Sequence, residues 1–234
     1  MKQQILISLP LLLSAAYARP SAPREGLIKR EVPQEHSHNS FIATVNANLK
    51  TNNPANIQDA VFGLLGDAAA SKGQGDITDT DCLQQATADQ AFTNAKAAGD
   101  VAGMTAALIY RALERNTGKV GLASVPCTSI QAVNPEIQAI QQHQDPASSG
   151  AAATNKGIVL ELAKQIAQVG GDPQDALKSG TFAPGNLDDN TGAGNTCDVA
   201  DDEVGCIISQ NLLVEDATAD EINTAVQGIS ASTP

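Results

Sequence analysis

Aromatic side chains are scarce in this sequence, which has four Phe, two Tyr and no Trp among its 234 residues. Modules that hold sugar chains commonly stack the sugar rings on exposed Trp or Tyr faces, because these faces offer a large flat area at little entropic cost. The composition therefore argues against a typical carbohydrate-binding module. Enzyme motifs such as G-x-S-x-G, H-E-x-x-H, the P-loop and G-x-G-x-x-G are missing as well. We predict no catalytic or cofactor-binding residues and no enzymatic activity.

Positive charge is also scarce once the first 30 residues are passed. Five of the 14 Lys and Arg residues precede Glu31, but only one of the 26 Asp and Glu residues does, which leaves 9 cations and 25 anions and a net charge of −16. This charge repels phosphate backbones and anionic lipid, so we expect neither nucleic acid nor a membrane surface as a partner. We expect a solvated acidic surface instead, which favours solubility.

The first 18 residues have the layout of a secretory signal peptide. Lys2 supplies a positive charge, residues 5–17 form an apolar run, and Ala16 and Ala18 occupy the small-residue positions of a cleavage site. We predict cleavage after Ala18. The alternative is an uncleaved anchor, but the run is shorter than the roughly 20 apolar residues that a membrane-spanning helix needs.

A short basic segment, residues 19–30, follows the predicted signal peptide and ends in Lys29 and Arg30. A dibasic pair suits secretory endoproteases of the kexin type, whose acidic pocket reads two adjacent cations. We therefore predict a propeptide over residues 19–30 and a mature domain over residues 31–234. The last residues lack the hydrophobic tail of a lipid-anchor signal, so we expect no covalent membrane anchor.

Four cysteines remain in the predicted mature domain, and an even count in an exported chain predicts two disulfides. Of the three possible connectivities we favour Cys82 with Cys127 and Cys197 with Cys206. The second pair closes a short acidic loop, and the first joins the start of one helix to the loop after the next. A zinc site is disfavoured, because no C-x-x-C or Cys/His pair is present.

Helix signals dominate the mature domain and predict an all-α, single-domain bundle of about seven helices. Asp100 is a predicted N-cap, residues 218–221 form a predicted capping box, and Gly99 and Gly170 are predicted helix stops. Each Asx-Pro pair is a predicted helix start. The predicted apolar faces are Phe41, Val45 and Leu49; Ile57, Val61, Leu64 and Leu65; Met104, Leu108 and Ala112; and Ile158, Leu162, Ile166 and Val169. Residues 206–214 fit a buried helix slightly better than a strand.

Groups that could carry chemistry are few. His36 and His38 lie in a polar stretch near the predicted new N-terminus, where we expect exposed residues rather than metal ligands. His143 ends a Gln-rich helix and is expected to favour that C-terminus. The acids of residues 188–203 could attract calcium, which prefers several oxygen ligands on a flexible loop. Their spacing does not match an EF-hand, so we expect a solvated loop, with calcium left open.

Three segments, 61–66, 82–89 and 107–115, together with the four cysteines, resemble a family of small secreted proteins of filamentous ascomycete fungi. That family is described as cell-wall or conidial-surface proteins, and the likeness covers roughly residues 40–230. The resemblance implies an exported, wall-associated protein that covers immune-stimulating wall polymers on spores. It brings no catalytic residues. The chain lacks the eight-cysteine framework of hydrophobins, so attachment would be non-covalent or through unidentified groups.

These observations lead to one main functional hypothesis and two alternatives. The main one is a non-enzymatic protein of the fungal cell wall, structural or masking, whose partners are wall polymers or other wall proteins. The first alternative is a secreted helical module or effector that holds a small apolar ligand or lipid. The second is a hydrolase with an unrecognised site.

Overall fold

The computed structural model describes Gln34 and residues 36–231, and every structural statement below concerns these residues. They make up most of the predicted mature domain. The predicted signal peptide and propeptide lie outside them, as do the predicted processing residues Ala18, Lys29 and Arg30.

The described residues form a single all-α domain with two disulfides, as the sequence predicts. The only strand-like feature among them is an isolated antiparallel bridge between Thr181 and Val214. Three 3₁₀ helices, Ala60–Leu64, Thr80–Cys82 and Pro173–Ser179, lie between the α-helices. The α-helices are α1 (Asn39–Leu49), α2 (Asp67–Ala70), α3 (Leu83–Ala98), α4 (Val101–Ala112), α5 (Pro135–Gln138), α6 (Ala151–Gln168), α7 (Cys206–Ser209) and α8 (Ala219–Ala225).

Helix α4 forms the centre of the bundle. Every residue from Gly103 to Ala112 is buried, and α3, α1 and α6 all pack against it. The sequence predicts a single inward stripe of Met104, Leu108 and Ala112 on this helix. The stripe is buried, but so are the other faces, as expected for a helix that is apolar all round.

The connection from α3 to α4 follows the predicted signals. Gly99 ends α3 in the left-handed region, with φ of 67°, which glycine adopts without steric cost. The Asp100 side chain then accepts a hydrogen bond from the Gly103 backbone N–H and caps α4. Helix α8 has the predicted capping box, formed by Thr218 and Glu221. These local features fix the direction of each helix where it enters the core.

The start of the described chain is tied to its C-terminal part. The Ser40 backbone N–H donates to the Val204 carbonyl at 3.3 Å, and the Cys206 N–H donates to the His36 carbonyl at 3.3 Å. Gly205 has φ of 111°, and a Cβ placed there would lie 2.3 Å from the Ser37 carbonyl oxygen. Only glycine therefore allows the two segments to pass so closely.

Some predicted helix starts are turns instead. Asn134-Pro135 opens α5 and Asp172-Pro173 opens a 3₁₀ helix, whereas Asn53-Pro54 and Asp145-Pro146 open turns. In the Asn53 turn, the side chain bonds both the N–H and the carbonyl of Ile57, and these hydrogen bonds stabilise a turn instead of a helix. The sequence predicts a helix that begins near Ile57, but only the short 3₁₀ helix Ala60–Leu64 forms there.

Candidate functional site

The two disulfides join the cysteines that the sequence analysis paired. Cys82 bonds Cys127 across 45 residues, and Cys197 bonds Cys206 across 9 residues. Cys82 directly precedes α3, and Cys127 lies in the long connection after α4. The first bridge therefore pins that connection to the core, while the second closes the acidic loop next to α7.

The three histidines differ in how far they match the sequence-based expectation. His36 is partly exposed, and its Nδ1 atom is 2.5 Å from Asp198 Oδ1. His38, which is predicted to be exposed, is only 2% exposed, and His143 is 0% exposed. The prediction for His38 is wrong because the segment from His36 to Ser40 packs against residues 204–207 instead of extending into solvent.

His143 caps a helix, but not the one that the sequence indicates. Its backbone N–H donates to the Ala112 carbonyl at 2.8 Å, and its Nδ1 atom lies 2.6 Å from the same oxygen. Because a carbonyl can only accept, Nδ1 carries the proton. Ala112 is the last residue of α4, so His143 satisfies an otherwise unbonded carbonyl at the end of the central helix.

Three acids surround this point and, with His38 and His143, form what we call the acid–histidine cluster: His38, Glu114, His143, Asp145 and Asp216. Asp216 Oδ2 lies 3.4 Å from His143 Nε2. Asp145 is 3% exposed and accepts backbone hydrogen bonds from Gly121 at 2.8 Å and Ala147 at 2.7 Å. The cluster thus joins the end of α4 to three separate loops.

Glu114 is the most unusual member of the cluster. It is 3% exposed, and its Oε1 atom is buried without a hydrogen-bond partner. Burial raises the pKa of this carboxyl well above its usual value, and the neighbouring charges of Asp145 and Asp216 raise the pKa further. Glu114 is therefore neutral over a wider pH range than an exposed glutamate.

The bases of this interior are shifted in the opposite direction. Burial lowers the pKa of His38 to about 3, with a smaller contribution from His143, and the backbone at Lys178 and Gly180 offsets part of the shift. Burial, and secondly Arg115, lowers the pKa of Arg111 to about 10. Both shifts have the same cause, which is that this part of the core disfavours any charged form.

Glu114 and Asp145 line a common cavity with Gln34, but the space is very small. Its volume is about 10 Å³, roughly the minimum that a single water molecule requires. Carboxylate pairs that cleave sugars stand across a cleft with room for the substrate and a water molecule. This pair has no such room.

The acidic loop, residues 188–203, uses its carboxylates to order its own backbone. Asp189 accepts from Thr191 N and Oγ1 at 2.8 and 2.6 Å, and from Gly194 N at 3.0 Å. Asp202 accepts from Val204 N and Gly205 N, each at 3.1 Å. Across Gln34 and residues 36–231, no group of three or more His, Cys, Asp or Glu residues is arranged to hold a metal ion.

Sequence reasoning missed the acids of the cluster, because it looked for carboxylates that are paired along the chain. Glu114, Asp145 and Asp216 are far apart in sequence and come together only in the fold. The sequence contains one signal for charged groups in the core. Arg111 and Arg115 continue the helical spacing of Met104 and Leu108, which places charged residues on a face that is otherwise apolar.

These features define a disulfide-bonded, all-α domain with ionisable groups in its core. In comparison with known proteins, the chain matches no family model, no curated protein and no solved structure. None of the helices in the described part of the chain is both long and apolar enough to cross a bilayer.

Proposed function

We propose that this chain is a non-enzymatic, exported protein of a fungal cell wall. On the surface of conidia it is structural or masks wall polymers from immune recognition. The wall assignment comes from the sequence resemblance and from the predicted signal peptide and propeptide. The fold supports the proposal in three ways, through the buried acids, the disulfides and the surface charge.

The observation that carries the non-enzymatic part is the small space beside Glu114. A general acid needs a raised pKa, which Glu114 has, but it must also reach the substrate. Glu114 and Asp145 face a cavity of about 10 Å³, which admits no substrate. The shifted pKa of Glu114 is therefore a consequence of its burial and supports a structural role at the end of α4.

The disulfides support export. Stable disulfides form in oxidising compartments and are rare in the reducing cytosol. The structure contains two, and it leaves none of its cysteines free. Neither bridge belongs to a redox-active C-x-x-C motif. Each bridge fixes a loop, as in extracellular domains that rely on covalent cross-links for stability.

The surface charge supports a protein that is presented to solvent. Asp201 and Glu203 lie with Asp59 along a broad open groove that also contains His36. Like charges held along such a surface oppose self-association and keep a protein hydrated. A hydrated, acidic layer is what a masking protein would present.

Stepwise extraction of intact conidial walls with detergent, then salt, then alkali tests the proposal. We expect the tagged protein to remain after detergent. Release by salt is expected for non-covalent attachment, and release only by alkali for attachment through other groups. The Glu114→Gln variant serves as a control and should fractionate in the same way, since no catalytic step is involved. Recovery of the protein only from the culture medium would contradict the wall assignment.

The masking role has a separate test. Conidia that lack the protein should bind more antibody or lectin directed at inner wall polymers than conidia complemented with the wild-type chain. Equal probe binding by the two kinds of conidia would leave a structural role and remove the masking role.

A lipid-binding module remains the second candidate, because one groove favours it. Phe41, Val101 and Ala102 line a largely apolar groove of about 480 Å³ between α1 and α4, and the Thr105 hydroxyl beside it is buried without a partner. Native mass spectrometry of the purified protein distinguishes the two functions. A stoichiometric bound lipid that is lost in the Ala102→Phe variant would favour ligand binding.

A further inference from the structure

An open pocket of about 270 Å³ lies where the residues at the start of α2 meet the connection after α4. Its wall contains Arg115, which is only 3% exposed. We call it the Arg115 pocket, and its other polar lining includes Asp67, Asp81, Thr117 and Ser124. Its volume is close to the lower end of the range for small-molecule sites, about 300–1,000 Å³.

The pocket is held in shape before any ligand arrives. Arg115 Nη1 lies 3.0 Å from Asp81 Oδ1 and 3.4 Å from the Val125 carbonyl oxygen, and Nη2 lies 3.5 Å from Asp67 Oδ1. Cys82 directly follows Asp81, and its disulfide to Cys127 joins the same two walls covalently. A preformed site avoids much of the entropic cost of ordering its groups on binding.

Hydrogen-bonding capacity is left over in this pocket. The Nε atom of Arg115 is buried and has no partner. Arg115 engages one oxygen of Asp67 and one of Asp81, which leaves the second oxygen of each carboxylate to accept a hydrogen bond. Because Nε is shielded from solvent, the capacity that a ligand can reach is that of the two carboxylates.

The charge and the rim of the pocket restrict the kind of ligand. Two carboxylates against one guanidinium give a net charge of −1, which disfavours phosphates and carboxylates. Leu122 and Val125 are 44% and 57% exposed and give the lining an aliphatic portion. A neutral ring with hydroxyl groups on its edge and C–H groups on its face matches both the polar and the apolar parts.

We propose that the Arg115 pocket binds one neutral hexose unit of a wall polysaccharide. Asp67 and Asp81 accept hydrogen bonds from sugar hydroxyls, and Leu122 and Val125 contact the ring face. The choice of ligand rests on the proposed function, whereas the site rests on the geometry of the pocket.

This mode of binding agrees with the scarcity of aromatic residues. Without ring stacking, a single unit is held mainly by hydrogen bonds, and we expect a dissociation constant of about 1 mM, or about −4 kcal/mol. A wall polymer presents the same unit many times to many copies of the protein, and such multivalency raises the overall avidity.

Two-dimensional NMR titration of the folded mature chain, residues 31–234, tests the proposal. The probes are short linear oligosaccharides of glucose, of mannose and of N-acetylglucosamine. We expect one of them to shift the backbone resonances of residues 115–125 and of Asp67 in a saturable manner. No saturable shift at these positions with any of the three would overturn the proposal.

Gly118 offers a way to fill the pocket without disturbing the fold. It lines the pocket, and a Cβ added there meets no atom within 4 Å. Gly118→Leu should therefore abolish the shifts. Gly157→Leu is the matched control, because Gly157 lies on α6 with equally open space around it, and it should bind as the wild type does. Unchanged binding by Gly118→Leu would refute the assignment of the site.

A second pair of variants tests the chemistry. Asp67→Asn keeps the shape of the Asp67 side chain but removes its charge. We expect oligosaccharide binding to become about five- to tenfold weaker, because a hydrogen bond to a charged acceptor becomes one to a neutral acceptor. Asp220→Asn on α8 removes an exposed acid outside the pocket and should have no effect. An equal loss in both variants would indicate a general charge effect and contradict the proposed contacts.

The proposal and the wall assignment can fail separately. If the protein is extracted from walls but no oligosaccharide binds, the hexose site is wrong and the wall location stands. If an oligosaccharide binds at the pocket but the protein occurs only in the medium, the site stands and the wall location is wrong.

Discussion

Carboxyl groups have pKa values shifted in opposite directions in the acid–histidine cluster and in the acidic loop. Burial raises the pKa of Glu114, and no hydrogen bond to its Oε1 atom offsets the effect. Asp189 is partly exposed, and hydrogen bonds from the Thr191 side chain, the Thr191 backbone and the Gly194 backbone lower its pKa. The pKa of a carboxyl group in this protein therefore depends on whether the fold leaves it accessible to solvent and hydrogen-bond donors or buries it away from both.

The two regions also differ in what holds them in place. The cluster lies at the end of α4, under segments that precede α1, α6 and α8. The acidic loop has no regular helix between Ser179 and Cys206, and it is ordered by its own Asp side chains and by the Cys197–Cys206 bridge. Disturbing the cluster should therefore have the larger effect on global stability, whereas changes to single side chains of the loop should have mainly local effects.

The largest effects are expected on removal of the disulfides, one of which pins the connection after α4 to the core while the other closes the acidic loop. Replacing Cys82 and Cys127 by Ser should lower the free energy of unfolding by about 4 kcal/mol, from the loop-entropy relation for 45 residues. The same change at Cys197 and Cys206 should cost about 2.5 kcal/mol, because the sequence separation of these cysteines is only 9. Denaturant unfolding of both double variants measures the difference. A larger loss for the shorter bridge would show that the loop stabilises the core more than its contacts suggest.

A smaller effect is expected from His38 in acid. Its pKa is about 3 in the folded protein, below the ordinary value of 6.5, so the unfolded chain binds the proton first as the pH falls. The free energy of unfolding should decrease by about 2 kcal/mol between pH 7 and pH 5 from this residue alone. In His38→Gln that part of the decrease should be absent. Parallel pH profiles for the variant and the wild type would contradict a buried, neutral His38.

Glu114 should act in the opposite direction along the pH scale. Because its pKa is raised in the folded state, the unfolded chain releases the proton first, and this contribution to stability is lost as the pH rises from the ordinary glutamate value of 4.5 through the folded-state value. The loss cannot exceed about 1.4 kcal/mol per pH unit for a single group. Glu114→Gln should remove this loss. Urea unfolding of both proteins at a series of pH values above 4.5 provides the measurement, and identical pH profiles would show that the pKa of Glu114 is not raised by the fold.

The smallest effect is expected in the acidic loop. Asp189→Asn removes the ionised acceptor of Thr191 and Gly194, so amide hydrogen exchange should become faster at these two residues. The melting temperature of the domain should not change measurably, because the loop contributes little to the core. Acidification of the wild type through the lowered pKa of Asp189 should likewise reduce the protection of these two amides, measured relative to their intrinsic exchange rates at the same pH. A fall in melting temperature in the variant would contradict the separation of loop and core.

Features that depend on interactions between neighbouring residues can be predicted from the amino-acid sequence. The all-α class, Gly99 as a helix stop, the Asp100 cap and the capping box at Thr218 follow from interactions within a few residues. The disulfide pairing was favoured for a similar reason, since each bridge joins positions that the helix order brings close. Asn53 shows the limit of such signals, because the same Asx-Pro pair can open a turn or a helix.

The positions of the buried ionisable groups depend on the complete fold. His38, Glu114, His143 and Asp216 come from four separate stretches of the chain, and no local pattern indicates that they share one interior. The Arg115 pocket likewise depends on two walls that meet after folding and are then held by the Cys82–Cys127 bridge. Burial is a property of the whole fold, and a sequence pattern that extends over one or two helical turns cannot record it.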